Sequence, residues 1–151
     1  MKKLKNNIPK KNEFNRIVIP VDGSKESKRA VRKGLILAKE TGVQVLAIHV
    51  VQLPYSVIPD AIFTYPDFIQ TLKKRGKKIL DDVSNEGKKI GVKVKTKLIE
   101  GIPENEIIKE SNKNDLIVMD CKNKPPLNRF LIGSLCDKVV HHSKSPVMVI
   151  R

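Results

Sequence analysis

Two short segments of this sequence carry residue types that could hold a ligand. In the first, residues 20–24, Asp22 and Ser24 follow an apolar run typical of a strand. The Asp22 carboxylate could accept a hydrogen bond from an amino or hydroxyl group of a ligand, or it could cap the helix that begins near Ser24. The residues alone leave both interpretations open.

The second segment is Gly133-Ser134-Leu135, at the predicted start of a later helix. Free backbone N–H groups and the helix dipole favour an anion there, and glycine lets a phosphate approach the backbone. Ser134 is also a common capping residue of helices that bind nothing. Three cations precede it, and they either attract a phosphate or belong to a generally lysine-rich surface: Lys122, Lys124 and Arg129.

The sequence lacks the patterns that would support hydrolysis of a nucleotide. It contains no G-x-x-x-x-G-K-[ST] phosphate loop and no pair of carboxylates at a plausible spacing. His49 lies inside a predicted strand, which favours packing. His141 and His142 lie at a helix C-terminus, where the dipole favours protonated histidine. We assign no catalytic residue, and a nucleotide-hydrolysing enzyme stays an alternative without a residue set of its own.

Cys121 and Cys136 do not have the spacing of a zinc site, and nothing nearby supplies four ligands. In a lysine-rich chain without a recognisable signal peptide, we expect both to be reduced thiols in a cytoplasmic protein. Both are expected to pack in the core as small apolar residues. No metal site is predicted.

An alternation of strands and helices positions the two candidate segments. Predicted strands cover residues 17–20, 43–51, 92–100, 116–119 and 146–150, and predicted helices begin near Ser24, Phe68, Pro103 and Gly133. This order favours a parallel sheet with helices on both faces, joined by right-handed crossovers. Ligands bind such sheets at the carboxyl ends of the strands, where residues 20–24 and 120–133 both lie.

Length and composition favour one domain. The chain has 151 residues, of which 40% are hydrophobic, enough to form a single core. Residues 1–13 are basic and poor in apolar side chains, so we expect a flexible arm followed by a folded domain over residues 14–151. No apolar run approaches the ~20 residues of a membrane span, and no membrane partner is predicted.

The net charge of +14 raises nucleic acid as an alternative partner. Against it, the lysines are scattered in pairs along the chain, and no interleaved aromatic residues offer a surface on which bases could stack. A solvated lysine-rich surface is therefore the favoured interpretation.

The chain resembles the universal stress protein family in three segments: FNRIVIPVDGSKESKRAV, VLAIHVV and NDLIVMDCKNKPPLNRFLIGSLCDKVVHHSKSPVMVIR. The resemblance implies an α/β Rossmann-like sandwich of the adenine nucleotide alpha hydrolase-like type, with a five-stranded parallel sheet of order 3-2-1-4-5. It also implies a regulatory stress-response function, a homodimer formed through the C-terminal strand and, in one branch, binding of ATP or another adenine nucleotide.

In that branch, the phosphate loop has glycines at the positions of Asp120, Asn123 and Gly133, followed by Ser or Thr at Ser134. Only the last pair matches here. Asp120 is expected to repel a polyphosphate by ~1 kcal/mol even in water. Asn123 tolerates a left-handed backbone but carries a Cβ. The resemblance therefore implies an impaired triphosphate site, with Asn123, Gly133, Ser134 and Leu135 as candidate contacts.

The positions that contact the base and ribose in that branch are better preserved. They correspond here to Pro20, Val21, Asp22 and Val50. Three outcomes stay open on the sequence: binding of ATP, binding of a smaller adenosine-like ligand, or no nucleotide at all.

The segment from Tyr55 to Phe68 holds most of the aromatic residues, and we expect it to cover the carboxyl ends of the strands or to join a dimer contact.

Overall fold

Five strands and four helices alternate along the chain. The computed structural model describes residues 13–53, 66–121 and 134–151. The strands are β1 (Arg16–Pro20), β2 (Gln44–Val51), β3 (Val94–Glu100), β4 (Asp115–Asp120) and β5 (Val147–Ile150). The helices are α1 (Lys25–Thr41), α2 (Pro66–Ile90), α3 (Pro103–Glu110) and α4 (Ser134–His142).

The strands form one parallel sheet of order β3-β2-β1-β4-β5, which confirms the predicted architecture. β1 lies at the centre, with Ile17 opposite Val45 of β2 on one side and opposite Leu116 of β4 on the other. The strand order therefore reverses beside β1. α1, which follows β1, packs on one face of the sheet, and α4, which follows β4, packs on the other, so a crevice opens between them at the carboxyl edge.

Each face of the sheet carries its own hydrophobic cluster. On one face, Ile17 and Ile19 pack with apolar residues of α1 and α2. On the other, Val18 and Ile117 pack with residues of α3 and α4. Residues 17–19 have no exposed surface, as expected for a strand covered on both faces.

Both ends of α1 carry residues typical of helix caps. The Ser24 hydroxyl accepts a hydrogen bond from the Ser27 N–H at 3.1 Å. Gly42 ends the helix in the left-handed conformation, with φ of 75°. Gly34 lies against the sheet, where a Cβ would collide with the Ile19 side chain. The absence of a side chain at Gly34 therefore allows this helix to lie close to β1.

Some element boundaries differ from the prediction. The third strand begins at Val94 instead of residue 92, because the Val92 N–H closes the end of α2 by bonding to the Gly87 carbonyl at 2.9 Å. α2 begins at Pro66, where proline suits the first helical turn. Most of the segment from Tyr55 to Phe68 lies outside the described residues, as does the basic arm apart from Glu13.

β3 and β5 are the two edge strands of the sheet. Most residues of β3 are exposed, as expected for an edge strand in which apolar and basic residues alternate. Lysines on such a strand discourage pairing with another sheet. In the described part of the chain, no helix combines the length and the apolar character needed to cross a membrane.

Asp115 forms a buried ion pair at the start of β4. Its side chain is 2% exposed and receives two hydrogen bonds from Arg16 of β1, from Nε at 3.2 Å and from Nη2 at 2.7 Å. The Asn112 N–H donates a third, at 3.0 Å. The pair joins the two strands between which the strand order reverses.

We predict that Asp115→Ala lowers the free energy of unfolding by about 3 kcal/mol, because it leaves the Arg16 guanidinium without its buried partner. Urea denaturation followed by circular dichroism measures the change. The matched control is Asp82→Ala, which removes the exposed pair of Asp82 with Lys78 on α2 and should cost less than about 1 kcal/mol. Equal losses in the two variants would contradict the structural role of Asp115.

Candidate functional site

A cavity of about 560 Å³ lies at the carboxyl edge of the sheet. Its walls come from the ends of β1, β2 and β4 and from the first turns of α1, α3 and α4. The position is the one expected for a ligand in a parallel sheet, and the volume suits a small molecule.

A larger concavity, of about 680 Å³, lies at the opposite edge of the sheet. It is more open, and Lys39 and Gly42 at the C-terminal end of α1 and Ile90 at the end of α2 line it. It lies at the amino ends of the strands, away from the carboxyl ends at which parallel sheets bind ligands. The cavity at the carboxyl edge is the better candidate.

The cavity brings together six of the eight predicted binding residues: Pro20, Val21, Asp22, Val50, Ser134 and Leu135. The other two, Asn123 and Gly133, lie outside the described residues, as do Lys122, Lys124 and Arg129. That these residues bind a nucleotide stays a prediction.

The loop after β1 is held by a set of local hydrogen bonds. The Asp22 carboxylate accepts from the Ser24 N–H at 2.9 Å, while Ser24 itself caps α1. The Asp22 N–H donates to the Ser27 hydroxyl at 3.4 Å. Asp22 therefore shapes the turn without being the cap, and it also faces the cavity, so a structural role and a ligand role are compatible in one side chain.

His49 holds the end of β1 from the neighbouring strand. Its Nδ1 lies 2.8 Å from the Val21 carbonyl oxygen. Because a carbonyl only accepts, Nδ1 must carry the proton of this bond. The Val21 N–H donates to the Ile48 carbonyl at 2.8 Å. Both backbone polar groups of Val21 are thus engaged with β2, which fixes the cavity wall at this point.

Asp120, the last residue of β4, is paired with Arg29 of α1. Arg29 Nε lies 2.7 Å from one carboxylate oxygen, and Nη2 lies 3.1 Å from the other. The Asp120 side chain is 0% exposed, whereas that of Arg29 is 45% exposed. The hydrogen bond with Asp120, together with the charge of its carboxylate, raises the pKa of the Arg29 guanidinium.

This ion pair changes the expectation for Asp120. The sequence predicts a negative charge in the path of a phosphate and gives no sign that Arg29 pairs with it. In the structure a cation already neutralises that charge, so simple repulsion is an incomplete account. Arg29 lies on the exposed face of α1 among other basic residues, and it is separated from Asp120 by 91 positions in the sequence, so no sequence pattern marked the pairing.

The expectation that Cys121 and Cys136 are reduced thiols is wrong for this structure, in which they form a disulfide. Both are buried, as expected. The chain leaves the sheet after β4 and returns at the first turn of α4, which places the two Cα atoms 5.9 Å apart. That separation lies within the usual range for a disulfide. The bond joins the two ends of the segment that contains Asn123 and Gly133, and Cys136 lines the cavity.

The cavity combines an apolar wall with an acidic rim. Apolar side chains supply the wall: Val21, Ile48, Val50, Met119 and Leu135. Carboxylates line the rim at Asp22, Glu26 and Asp120. An apolar wall beside hydrogen-bond acceptors suits a flat ring that carries hydroxyl or amino groups. Within the described ranges, no group of three or more His, Cys, Asp or Glu side chains could hold a metal ion.

Comparison with known proteins identifies relatives of this chain. The model of the universal stress protein family matches residues 13–151. Universal stress protein MJ0531 of Methanocaldococcus jannaschii is 37% identical over 143 residues, covering 93% of this chain and 84% of that protein.

Two solved structures share the fold. One is the universal stress protein UspA from Lactobacillus plantarum, with a TM-score of 0.79 and 22% identity over 91% of this chain and 98% of that chain. The other is a universal stress protein from Archaeoglobus fulgidus in complex with dAMP, with a TM-score of 0.61 and 19% identity over 91% and 98%. At these identities the likeness supports the fold.

We predict that reducing the disulfide lowers the free energy of unfolding by roughly 3 kcal/mol, because the unfolded chain regains the freedom of a loop of 15 residues. Urea denaturation with and without a dithiol reductant measures the difference. A Cys121→Ser and Cys136→Ser double variant serves as the control, since the reductant should leave its transition unchanged. Reactive thiols in the denatured, untreated protein would contradict the disulfide itself.

Proposed function

The chain belongs to the universal stress protein family, and we propose that the cavity at the carboxyl edge of its sheet binds an adenine nucleoside or nucleotide. In this proposal the protein is a regulatory component of the stress response. The observation that carries the proposal is the apolar cavity at the reversal of strand order, closed on one side by the start of α4.

The base would lie against the apolar wall formed by Val21, Ile48 and Val50. Burial of a flat heterocycle against such side chains is favourable, in proportion to the area removed from water. The Val21 carbonyl is bonded to His49, and it retains a second lone pair that can accept from an exocyclic amino group. The Archaeoglobus fulgidus relative, solved in complex with dAMP, supports an adenine ligand on this fold.

The ribose would lie beside Asp22. A carboxylate is acceptor-only when ionised, so it suits a sugar hydroxyl as donor. The turn formed with the Ser24 N–H holds the carboxylate at the edge of the cavity. A phosphate would extend from there toward Ser134, where the first turn of α4 offers backbone N–H groups.

We further propose that the protein forms a homodimer through β5. This strand pairs with β4 on one side and forms an edge of the sheet on the other. Met148 at its middle is 40% exposed. A symmetric copy of the strand would satisfy the backbone groups of the edge and cover the apolar side chain.

The expected cytoplasmic location also stays a proposal. Disulfides are rare in cytosolic proteins, where reducing systems keep thiols reduced. A cytoplasmic location would therefore expose the Cys121–Cys136 bond to reduction, and its redox state in freshly lysed cells is informative about the compartment.

The adenine ligand is tested by calorimetric titration of the protein with adenosine, AMP and ATP. We expect Asp22→Ala to weaken adenosine binding about tenfold, through loss of a hydrogen bond to a charged acceptor. Asp22→Asn separates the role of Asp22 in the turn from its role toward the ligand. Its side-chain oxygen can keep the bond to the Ser24 N–H, while an amide donor replaces the oxygen that would accept from the ligand. Asp82→Asn, an exposed change on α2, is the control and should bind as the wild type does.

Wild-type affinity in Asp22→Asn combined with weak binding in Asp22→Ala would show that Asp22 acts only through the turn. Absence of binding for all three ligands in the wild type would contradict the proposed function.

For the homodimer, we expect sedimentation equilibrium at tens of micromolar to give the mass of two chains. Met148→Arg should shift the equilibrium toward monomer, because two buried charges would face each other across the symmetric contact. Ile36→Arg is the matched control, since Ile36 is 53% exposed on α1 and lies outside β5. A wild-type protein that sediments as a monomer would refute the proposed dimer.

A further inference from the structure

Asp120 lines the cavity and is paired with Arg29, which does not itself line it, and we infer that this ion pair sets the ligand class of the site. The inference rests on the proposed function. With the pair formed, the cavity selects an uncharged adenine nucleoside over its phosphorylated forms. In this state the Asp120 carboxylate occupies N–H groups of Arg29 that could otherwise bind a phosphate.

The geometry of the pair supports this competition. Arg29 donates from Nε and Nη2 to the two oxygens of Asp120, at 2.7 and 3.1 Å. A guanidinium binds a phosphate through the same two-pronged arrangement. A phosphate that approaches this edge of the guanidinium would therefore compete with Asp120 for the same two N–H groups.

Burial makes the exchange unfavourable for a phosphate. The Asp120 side chain has no solvent exposure, whereas nearly half of the Arg29 side chain is exposed. Moving Arg29 to a ligand would leave a buried carboxylate without its cation, which is a strongly unfavourable state. The free-energy cost of binding a phosphate to Arg29 therefore includes the loss of the pair with Asp120, in addition to the desolvation of an exposed arginine.

The other charged groups on the described rim act in the same direction. Glu26 and Asp22 both line the cavity beside Asp120. Glu26 also lies close enough to Arg29 to help raise the pKa of its guanidinium. A ligand without charge meets none of this repulsion, and its hydroxyl and amino groups can donate to Asp22 and Glu26, whereas the Asp120 side chain is fully buried.

The test compares adenosine, AMP and ATP on four proteins by calorimetric titration. In the wild type, we expect adenosine to bind at least as tightly as ATP. In Asp120→Asn, ATP affinity should rise about tenfold, because the released guanidinium meets the phosphates, while adenosine affinity should change by less than about twofold. In the double variant Arg29→Met with Asp120→Asn, the gain for ATP should disappear.

Asp82→Asn is the matched control, because it removes the same charge from the exposed pair with Lys78 on α2. An equal gain for ATP in this control would mean that net charge alone is responsible, and it would overturn the inference. So would a gain that persists in the double variant, or a wild type that binds ATP about tenfold more tightly than adenosine. Thermal unfolding of each variant identifies any loss of folding.

Pyrophosphate, titrated alone, separates this inference from the proposed function. It carries no base, so it probes the Arg29 site whether or not the cavity binds adenine. We expect it to bind Asp120→Asn more tightly than the wild type or the double variant. If no adenine ligand binds any variant, the proposed function fails, and pyrophosphate still decides the role of Arg29. Equal pyrophosphate binding by Asp120→Asn and the double variant would overturn that role.

Discussion

The reversal of strand order beside β1 is the constraint on which the rest of this structure depends. β1 is buried on both faces and pairs with β2 on one side and β4 on the other. Because α1 packs on one face of the sheet and α4 on the other, a crevice lies between these two helices at the carboxyl edge. The cavity, the turn at Asp22 and the start of α4 all follow from that geometry.

Two arginine–aspartate pairs hold β4 at its two ends. Asp115 at the start is bonded to Arg16 of β1, and Asp120 at the end is bonded to Arg29 of α1. Both carboxylates are almost completely buried, and both are held by two nitrogens of one guanidinium. Such pairs contribute geometry as well as energy, since a planar fork fixes the relative orientation of its partners. At the second pair, the carboxylate that the fork binds lines the candidate site, so one interaction both positions β4 and defines the charge that a ligand meets.

Much of the fold was predictable, because its signals are local and repeated. The apolar run at residues 17–19, the three- and four-residue spacing in α1 and the alternation of residues in β3 each determine an element from a few neighbours. The cavity followed from the parallel order of those elements. The boundary near Val92 was missed because a hydrogen bond at the end of α2, and not the residue pattern, decides it.

The two unpredicted features both join residues that are distant in the sequence or carry no local signal. Arg29 resembles any other cation on an exposed helix face, and only the packing of α1 beside β4 brings it to Asp120. Cys121 and Cys136 required the return of the chain at α4, which their spacing does not encode. Both features lie at the site, where the chain departs most from the family's phosphate loop. This fits the general expectation that functional sites are where local sequence rules are least sufficient.

The location of the ligand is the central claim, and an NMR titration of isotope-labelled protein with adenosine tests it most directly. The account predicts that backbone amide shifts concentrate at the carboxyl edge of the sheet, at Val21, Asp22, Val50 and Leu135. It also predicts that the amides of Lys39, Gly42 and Lys93, at the opposite concavity, stay unchanged. Shifts concentrated at that opposite concavity, or no shifts at all, would contradict the account.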